Sequence, residues 1–358
     1  MVPLPFGRDE YAARLAKVRT EMARRGLDLL IVNDIANQHY LTAYDGWSFY
    51  TPQCVLVAIE DEEPVWIGRA MDAAGGRLTA WMQHSNIVGF PEDYVQRQDR
   101  HPMDWIAEWI AGRGWANRRI GIEHDAYYYS PRAHARLTQG LPGAQWSDAD
   151  LLVNWVRAVK TPAEIAYLRN AARLAEGAMK AAYGAIAPGV RECDAVAGIY
   201  AAQVAGESDF SGDITSLPPT ILAGENASAP HILWGDRRFG NDETIAIELA
   251  GACRHYTAGL ARTLQLGRPE RRVVDVSGAV LEGMEAVLGA IRPGVTAGEV
   301  EAAWRTVIAR HGLKKESRIG YSIGVGYPPD WGEHTISLRQ NDGSILEPGN
   351  VLHAILGM

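Results

Sequence analysis

The first part of the chain alternates between helical and strand-like spacing of apolar positions. Residues 9–26, DEYAARLAKVRTEMARRG, repeat apolar side chains at three- and four-residue intervals and end at Gly26, which predicts a helix and its stop. LDLLIVND follows as a buried strand, and CVLVAIEDEEPVWIGR indicates a strand, an acidic turn and a second strand. DWIAEWIAGRG predicts a helix and RIGIEH another strand. This alternation predicts an α/β domain.

A second domain begins near Lys160. Thr161-Pro162-Ala163-Glu164 has the residues of a helix start: a capping hydroxyl, a proline in the first turn and a glutamate at the third helical position. A long segment with apolar residues at helical spacing follows. We therefore divide the 358-residue chain into an N-terminal domain of residues 1–158 and a C-terminal domain of residues 159–358.

The C-terminal domain contains an internal repeat. AIAPGV at residues 185–190 recurs as AIRPGV at residues 290–295, and each copy lies between two helical segments. A Pro-Gly pair alone indicates only a turn, but matching helices on both sides indicate a duplicated helix–turn–helix module. The sequence therefore predicts pseudo-twofold symmetry. The last segment, ILEPGNVLHAILGM, is an apolar strand that stops without a cap, so we expect the natural chain to continue beyond Met358.

Charge and cysteine content narrow the class of protein. With 35 Lys and Arg against 43 Asp and Glu, the net charge is −8 and no basic cluster is present, which argues against a nucleic acid or an anionic membrane as partner. Early charges argue against a signal peptide, and no apolar run approaches the ~18 residues of a membrane span. Cys54, Cys193 and Cys253 are far apart, which is typical of free thiols in a reducing compartment. We expect a soluble, cytoplasmic protein.

One carboxylate lies within an apolar strand. TIAIELAGACRHYTAGLARTLQLG, residues 244–267, predicts two apolar strands joined by a polar turn, and Glu248 lies in the middle of the first. A carboxylate is rarely buried unless it is paired or functional. A structural ion pair with Arg254 or Arg262 is one explanation, and a catalytic role is the other.

These segments together resemble the creatinase/prolidase/methionine aminopeptidase superfamily. The resemblance rests on residues 156–180, the repeated Pro-Gly-Val and the segment ILEPGNV, and the first half resembles the creatinase-type N-terminal domain. It implies a fold class with an α/β N-terminal domain and an α+β pita-bread C-terminal domain. For the peptidase members, it implies two metal ions held by two Asp, one His and two late Glu.

The metal-binding pattern of those peptidases is missing from the corresponding positions. The first Asp position is Glu248, the second is Gly259 and the His position is Tyr321. The first late Glu falls at Ile355, and the second would lie beyond the last residue. Each ion of a dinuclear site needs several oxygen or nitrogen donors. We therefore expect no metal and no other cofactor.

A catalytic histidine of the superfamily is retained. GENASAPHILW resembles the N-x-x-x-P-H loop that supplies a proton-transfer histidine, which falls at His231, with Asn226 at the first position of the loop. A lone histidine is more often structural, but within this loop, and expected across the sheet from Glu248, catalysis is favoured. Creatinase is a metal-free member that opens a C–N bond of a small guanidinium compound. Its Tyr-Thr-Ala turn is matched here by a turn that starts at Tyr256.

Aromatic residues surround an Asp-Gly turn in YLTAYDGWSFYTPQ, residues 40–53. Such a cluster either packs in a core or forms an aromatic wall for a cationic ligand. The stretch resembles that of the ectoine hydrolases, which open the cyclic amidine of ectoine or 5-hydroxyectoine. The resemblance implies a homodimer in which this loop completes the partner subunit's active site.

A second aromatic segment, GYPPDWGEH at residues 326–334, is predicted as a loop that either lines the substrate side or is solvated. From both segments and the strands around Glu248 we predict a set of substrate-binding residues. This set is Trp47, Phe49, Tyr50, Asn226, Tyr256, Tyr321, Trp331 and Glu333.

The predicted function is metal-independent hydrolysis of a small cationic or zwitterionic cyclic amidine. Glu248 attacks the amidine carbon, His231 protonates the departing nitrogen and then deprotonates a water, and the water releases an N-acetylated diamino acid. The alternatives are a creatinase-like amidinohydrolase, an Xaa-Pro dipeptidase and a pita-bread binding module without catalysis. The pair of His231 and Glu248 argues against the last, because a pure binding module has no need of it.

Overall fold

The chain forms two compact units, Met1–Arg157 and Ala158–Met358. The computed structural model describes residues 3–149 and 151–358. Within those ranges no helix is both long enough and apolar enough to cross a lipid bilayer. The predicted fold class, an α/β unit followed by an α+β unit, is confirmed.

The N-terminal unit is a mixed six-stranded sheet with helices on it. Its strands follow the order β4-β3-β2-β1-β5-β6, with β1–β2 and β2–β3 antiparallel and the other neighbours parallel. The strands are β1 (Leu29–Val32), β2 (Cys54–Ala58), β3 (Val65–Arg69), β4 (Ile87–Phe90), β5 (Arg119–Ile122) and β6 (Gln145–Asp148). The helices are α1 (Arg8–Arg24), α2 (Ile35–Thr42), α3 (Ala73–Thr79), α4 (Pro102–Gly112), α5 (Pro131–Gly140) and α6 (Leu152–Arg157).

Both faces of this sheet are buried, which explains the unbroken apolar run of β1. Leu29 and Ile31 belong to the core that also contains the apolar faces of α4 and α5. Leu30 and Val32 point to the opposite face, since strand side chains alternate, and they are equally buried. The predicted helices at residues 9–26 and in DWIAEWIAGRG are α1 and α4, and the predicted strands are β1, β2, β3 and β5.

The C-terminal unit is an antiparallel sheet covered by two helix pairs. Its strand order is β11-β10-β9-β8-β7, and β12 pairs with β10. The strands are β7 (Thr220–Ala223), β8 (Glu243–Cys253), β9 (Tyr256–Leu266), β10 (Gly320–Tyr327), β11 (Asp330–Ser337) and β12 (Leu352–Ala354). The helices are α7 (Pro162–Ala185), α8 (Glu192–Ala205), α9 (Arg271–Ala290) and α10 (Ala297–Arg310).

The predicted internal repeat is confirmed by the two helix pairs. α7 and α8 pack with β7 and β8, and α9 and α10 pack with β11 and β12. The Pro-Gly turn between the helices of each pair places its glycine in the left-handed region, at φ +84° for Gly189 and +90° for Gly294. Only glycine adopts this backbone conformation readily, which explains why both copies carry it.

The start of α7 has the predicted capping box. The Thr161 hydroxyl accepts a hydrogen bond from the Glu164 amide at 3.4 Å, and the Glu164 carboxylate accepts one from the Thr161 amide at 2.8 Å. The segment predicted as a loop at residues 326–334 is different in the structure: β10 and β11 form a hairpin through it. Its apolar residues alternate along a strand, so Trp331 is buried between neighbours instead of lying in a loop.

Candidate active site

Glu248 lies in the middle of β8, opposite Thr220 of β7 and Ala261 of β9. The flanking Ile247 and Leu249 point into the core beneath α7 and α8. Because strand side chains alternate, Glu248 points to the other face of the sheet, where its side chain is 27% exposed. The carboxylate is thus accessible, and among the ion pairs of residues 3–149 and 151–358 none joins it to Arg254 or Arg262.

His353 is the residue that the structure brings to Glu248. It lies in β12, and its Nε2 is 3.8 Å from Oε1 of Glu248. Its Nδ1 is 3.1 Å from the Gly259 carbonyl oxygen, and its side chain is 4% exposed. Among the hydrogen bonds formed by the described residues, none involves Nε2. A buried imidazole therefore directs one ring nitrogen at the carboxylate.

Gly259 leaves the space that this imidazole fills. A Cβ atom at Gly259 would lie 2.9 Å from Cε1 and 3.0 Å from Nδ1 of His353, closer than side-chain carbons approach other heavy atoms. Any side chain at position 259 would therefore compete with the ring for the same volume. The glycine and the histidine depend on each other for their packing.

Tyr321 and Trp331 enclose the imidazole. Tyr321 pairs with His353 across β10 and β12, and the two ring centroids are 5.4 Å apart. Trp331 Nε1 donates a hydrogen bond to the Tyr321 hydroxyl at 2.7 Å, and its ring lies 6.3 Å from the imidazole. Burial raises the pKa of Tyr321 to about 12, only partly offset by the hydrogen bond from Trp331, and the charge of Glu248 raises it further. The phenol is neutral at physiological pH.

The structure places His231 apart from this cluster. It is an exposed residue with φ +68°, in the loop after the 3₁₀ turn Gly224–Ser228 that carries the partly exposed Asn226. This turn packs against β7 and β8. Within the part of the chain that the structure describes, His231 forms no hydrogen bond or ion pair with Glu248. The imidazole that the structure places beside Glu248 is that of His353, and the catalytic role of His231 stays a prediction.

Two further residues predicted to bind substrate have partners inside the protein. The Tyr256 hydroxyl donates to Glu164 at 2.8 Å, which ties β9 to the start of α7. Glu333 accepts a hydrogen bond from the Lys160 ammonium at 2.5 Å, and the two side chains are 0% and 1% exposed. Both side chains are therefore held by contacts within the C-terminal unit, and their contact with substrate stays a prediction.

The predicted aromatic loop of the N-terminal unit divides into core and surface residues. Tyr40 and Tyr44 are buried. Phe49 is 9% exposed and packs between Trp47, at 4.8 Å between ring centroids, and Tyr128, at 4.7 Å. Trp47 is 49% exposed and Tyr50 is 66% exposed, which leaves two large aromatic surfaces on this unit.

The residues present do not fit a dinuclear metal site. Of the corresponding positions within this sequence, Glu248 alone carries a carboxylate, and His353 is the imidazole that the described residues place beside it. Across residues 3–149 and 151–358 no three or more His, Cys, Asp or Glu side chains are grouped so that they could hold an ion. One carboxylate and one imidazole do not supply the donors that two ions require.

Comparison with known proteins defines the class to which this fold and site belong. Residues 166–358 match the model of metallopeptidase family M24, and residues 14–159 match the creatinase/prolidase N-terminal domain. The chain belongs to this family of the creatinase/prolidase superfamily. A recombinant prolidase from Thermococcus sibiricus has the same fold, with a TM-score of 0.80 at 17% identity over 97% of this chain and 89% of that one.

Relatives of higher identity make the class narrower. The chain is 44% identical to an ectoine hydrolase from Halomonas elongata, over 100% of this chain and 91% of the relative. It is 42% identical to an uncharacterized hydrolase/peptidase from Sinorhizobium fredii, over 99% of this chain and 91% of the relative. The resemblance to the ectoine hydrolases and the assignment as a hydrolase are thereby confirmed.

His353 is the site residue that sequence reasoning missed. In VLHAIL the histidine is a polar residue at an alternate position of an apolar strand, as Glu248 is in its own strand. The same rule that drew attention to the glutamate applies to it. Its closeness to Glu248 depends on the pairing of β12 with β10, which local sequence does not specify.

Proposed function

We propose that this protein is a metal-independent hydrolase that opens the cyclic amidine ring of ectoine or 5-hydroxyectoine to an N-acetylated diamino acid. The observation that carries the proposal is the Glu248–His353 pair, which takes the place of a metal-binding set on the accessible face of the sheet. The relative named ectoine hydrolase supports the choice of substrate.

Glu248 has the properties that a nucleophile for an amidinium carbon needs. Its carboxylate is accessible to a cationic substrate, and its backbone lies in β8, which is paired with a strand on each side. Attack by one carboxylate oxygen joins Glu248 to the amidine carbon. One ring nitrogen then takes a proton and leaves as an amine, while the other nitrogen returns its N–H proton to the same donor. The carbon remains bound to Glu248 as a neutral O-acyl imidate.

The departing nitrogen needs a proton, and His231 is our candidate donor. Its loop continues from the turn Gly224–Ser228, which packs against the strand that carries Glu248. The support for this role is the resemblance of the loop to N-x-x-x-P-H. A histidine donates and accepts protons near neutral pH, which suits this step.

In this proposal the substrate surface combines residues of the C-terminal unit with aromatic residues of a partner subunit. Tyr321 is neutral and lies beside the Glu248–His353 pair, so its hydroxyl contributes polarity without charge. We propose that Trp47 and Tyr50, both exposed, cover the site of a partner subunit in a homodimer. Free Cys54, Cys193 and Cys253 support a reducing, cytoplasmic location.

Substrate turnover followed by proton NMR tests the proposed function. The purified protein is incubated separately with ectoine, 5-hydroxyectoine, creatine and an Xaa-Pro dipeptide. Loss of the ring signals of ectoine or its hydroxylated form, with the appearance of an N-acetyl product, is expected. Cleavage of creatine or of the dipeptide alone would replace the proposal with one of those activities, and no reaction with any of them would favour a binding module.

A further inference from the structure

The tautomer of His353 is set by its backbone contact. A carbonyl oxygen only accepts hydrogen bonds, so the Nδ1 that lies 3.1 Å from the Gly259 oxygen carries the proton in the neutral ring. The lone pair is then on Nε2, the atom that faces Oε1 of Glu248 at 3.8 Å. His353 thus presents a proton acceptor beside the oxygen that the proposed function makes the nucleophile.

The position of Gly259 gives this histidine its place. A Cβ atom there would also lie 3.3 Å from Nε2, so the imidazole can occupy this position only because residue 259 has no side chain. Position 259 corresponds to a metal ligand in the peptidase members, and here its volume holds an imidazole instead. The volume that a metal ligand occupies in the peptidase members is thus filled by the His353 ring in this chain.

We propose that His353 is a catalytic residue of this site, whose Nε2 accepts the proton of the water that hydrolyses the intermediate bound to Glu248. The inference rests on the proposed function and moves the second proton transfer from His231 to His353. The exposed loop position of His231 suits contact with a leaving group, whereas the buried Nε2 of His353 lies beside the bond that must be hydrolysed.

Hydrolysis of the intermediate begins with the attack of water. The water oxygen bonds to the imidate carbon while one O–H bond breaks, and the proton passes to Nε2. The electron pair of the C=N bond moves to nitrogen, which takes that proton from the imidazolium. The C–O bond to Glu248 then breaks and returns its electron pair to the carboxylate. The remaining hydroxyl proton passes to the amine that left earlier, and the carbon becomes the acetyl carbonyl.

The variant His353→Asn separates this role from packing. Asparagine keeps an amide donor near the place of Nδ1 for the Gly259 oxygen, and it has no atom at the place of Nε2. His255→Asn is the matched control, because His255 is also buried in this unit but stacks on Tyr327, with ring centroids 4.3 Å apart. Ectoine turnover is measured for each, and acid-quenched protein is analysed by intact mass and peptide fragmentation.

We expect kcat of His353→Asn to fall by ~10²–10⁴-fold, the usual contribution of a general base. An adduct of one substrate mass should accumulate on Glu248, because its formation precedes the step that needs Nε2. His255→Asn should keep its rate and show no adduct, and Glu248→Gln/His353→Asn should show none. A slow His353→Asn without an adduct would give the histidine a packing role only, and a wild-type rate would overturn the inference entirely.

A second variant keeps the inference testable if His353→Asn does not fold. Gly259→Ala places a carbon against the ring and should displace Nε2, so slow turnover with the same adduct is expected. Gly278→Ala is its control, since a Cβ there meets no atom within 4 Å. If Gly259→Ala turns over at the control's rate, the inference fails while the proposed function stands. If the wild-type protein leaves ectoine intact, the proposed function and the inference fail together.

Discussion

Replacing Glu333 by glutamine tests whether the Lys160–Glu333 pair stabilises the C-terminal unit or belongs to the substrate site. The ammonium and carboxylate are 2.5 Å apart, and their side chains are 1% and 0% exposed. The ammonium also donates to the Ala158 carbonyl at 3.1 Å. Glu333→Gln keeps the shape of the side chain but leaves the buried ammonium without its counter-charge.

Breaking one side of a buried ion pair costs about 3–5 kcal/mol. For a unit of this size, each kcal/mol lowers Tm by roughly 2–4 °C, so a decrease of roughly 6–20 °C is expected. Lys160→Met/Glu333→Gln should recover much of the loss, because it removes the uncompensated charge as well. Asp275→Asn is the control, since it breaks the exposed Arg271–Asp275 pair and should leave Tm almost unchanged.

Calorimetry of the full chain measures these midpoints, and substrate kinetics of the same samples show whether KM changes. We expect a lower Tm, with KM close to that of the wild type wherever the variant remains folded. An unchanged Tm together with a large increase in KM would refute the structural role of the pair and would support the prediction that Glu333 binds substrate.

Three further predictions concern the two units and the proton transfers. Burial, and then the charge of Asp34, raises the pKa of Glu123 to about 8 from an ordinary 4.5. Because the folded state holds this proton more tightly than the unfolded state, the free energy of unfolding falls as pH rises from 4.5 to 8. Glu123→Gln should flatten this pH dependence when it is measured by urea unfolding. His231→Ala should lower kcat by ~10²–10⁴-fold in steady-state assays and be far from additive with Glu248→Ala; a near-normal rate would remove it from the mechanism. A mixed dimer of Trp47→Ala and Glu248→Ala subunits should show about half the wild-type activity if the loop acts on the partner's site, and activity as low as the parents' if it does not.

Sequence patterns predict correctly those elements that are determined by residues close together in the chain. The capping box at Thr161 and Glu164 uses residues three positions apart, and the Pro-Gly turns need only a left-handed glycine. The fold class follows because such elements pack in few ways. The loop predicted at residues 326–334 is instead a hairpin, since its turn signal, Pro-Pro, is shorter than the predicted segment and its flanks alternate as strands.

Of the Glu248–His353 pair, the sequence patterns indicated only the glutamate. Glu248 stands out because it is a charge in an apolar strand, a property of its immediate neighbours. Its pairing with His353 depends on the register of distant strands, and so does the match between that ring and Gly259. The partner of Glu333 was missed for the same reason, because nothing near Lys160 in the chain indicates which carboxylate reaches it.

The rate of ectoine ring opening after exhaustive chelation tests the central claim most directly. The protein is treated with a strong chelator, its metal content is checked by elemental analysis, and the rate is compared with that of untreated protein and of Glu248→Gln. We expect the chelated wild-type protein to keep its full rate and Glu248→Gln to have none. Activity that disappears on chelation and returns when Mn²⁺ or Zn²⁺ is added would contradict this expectation.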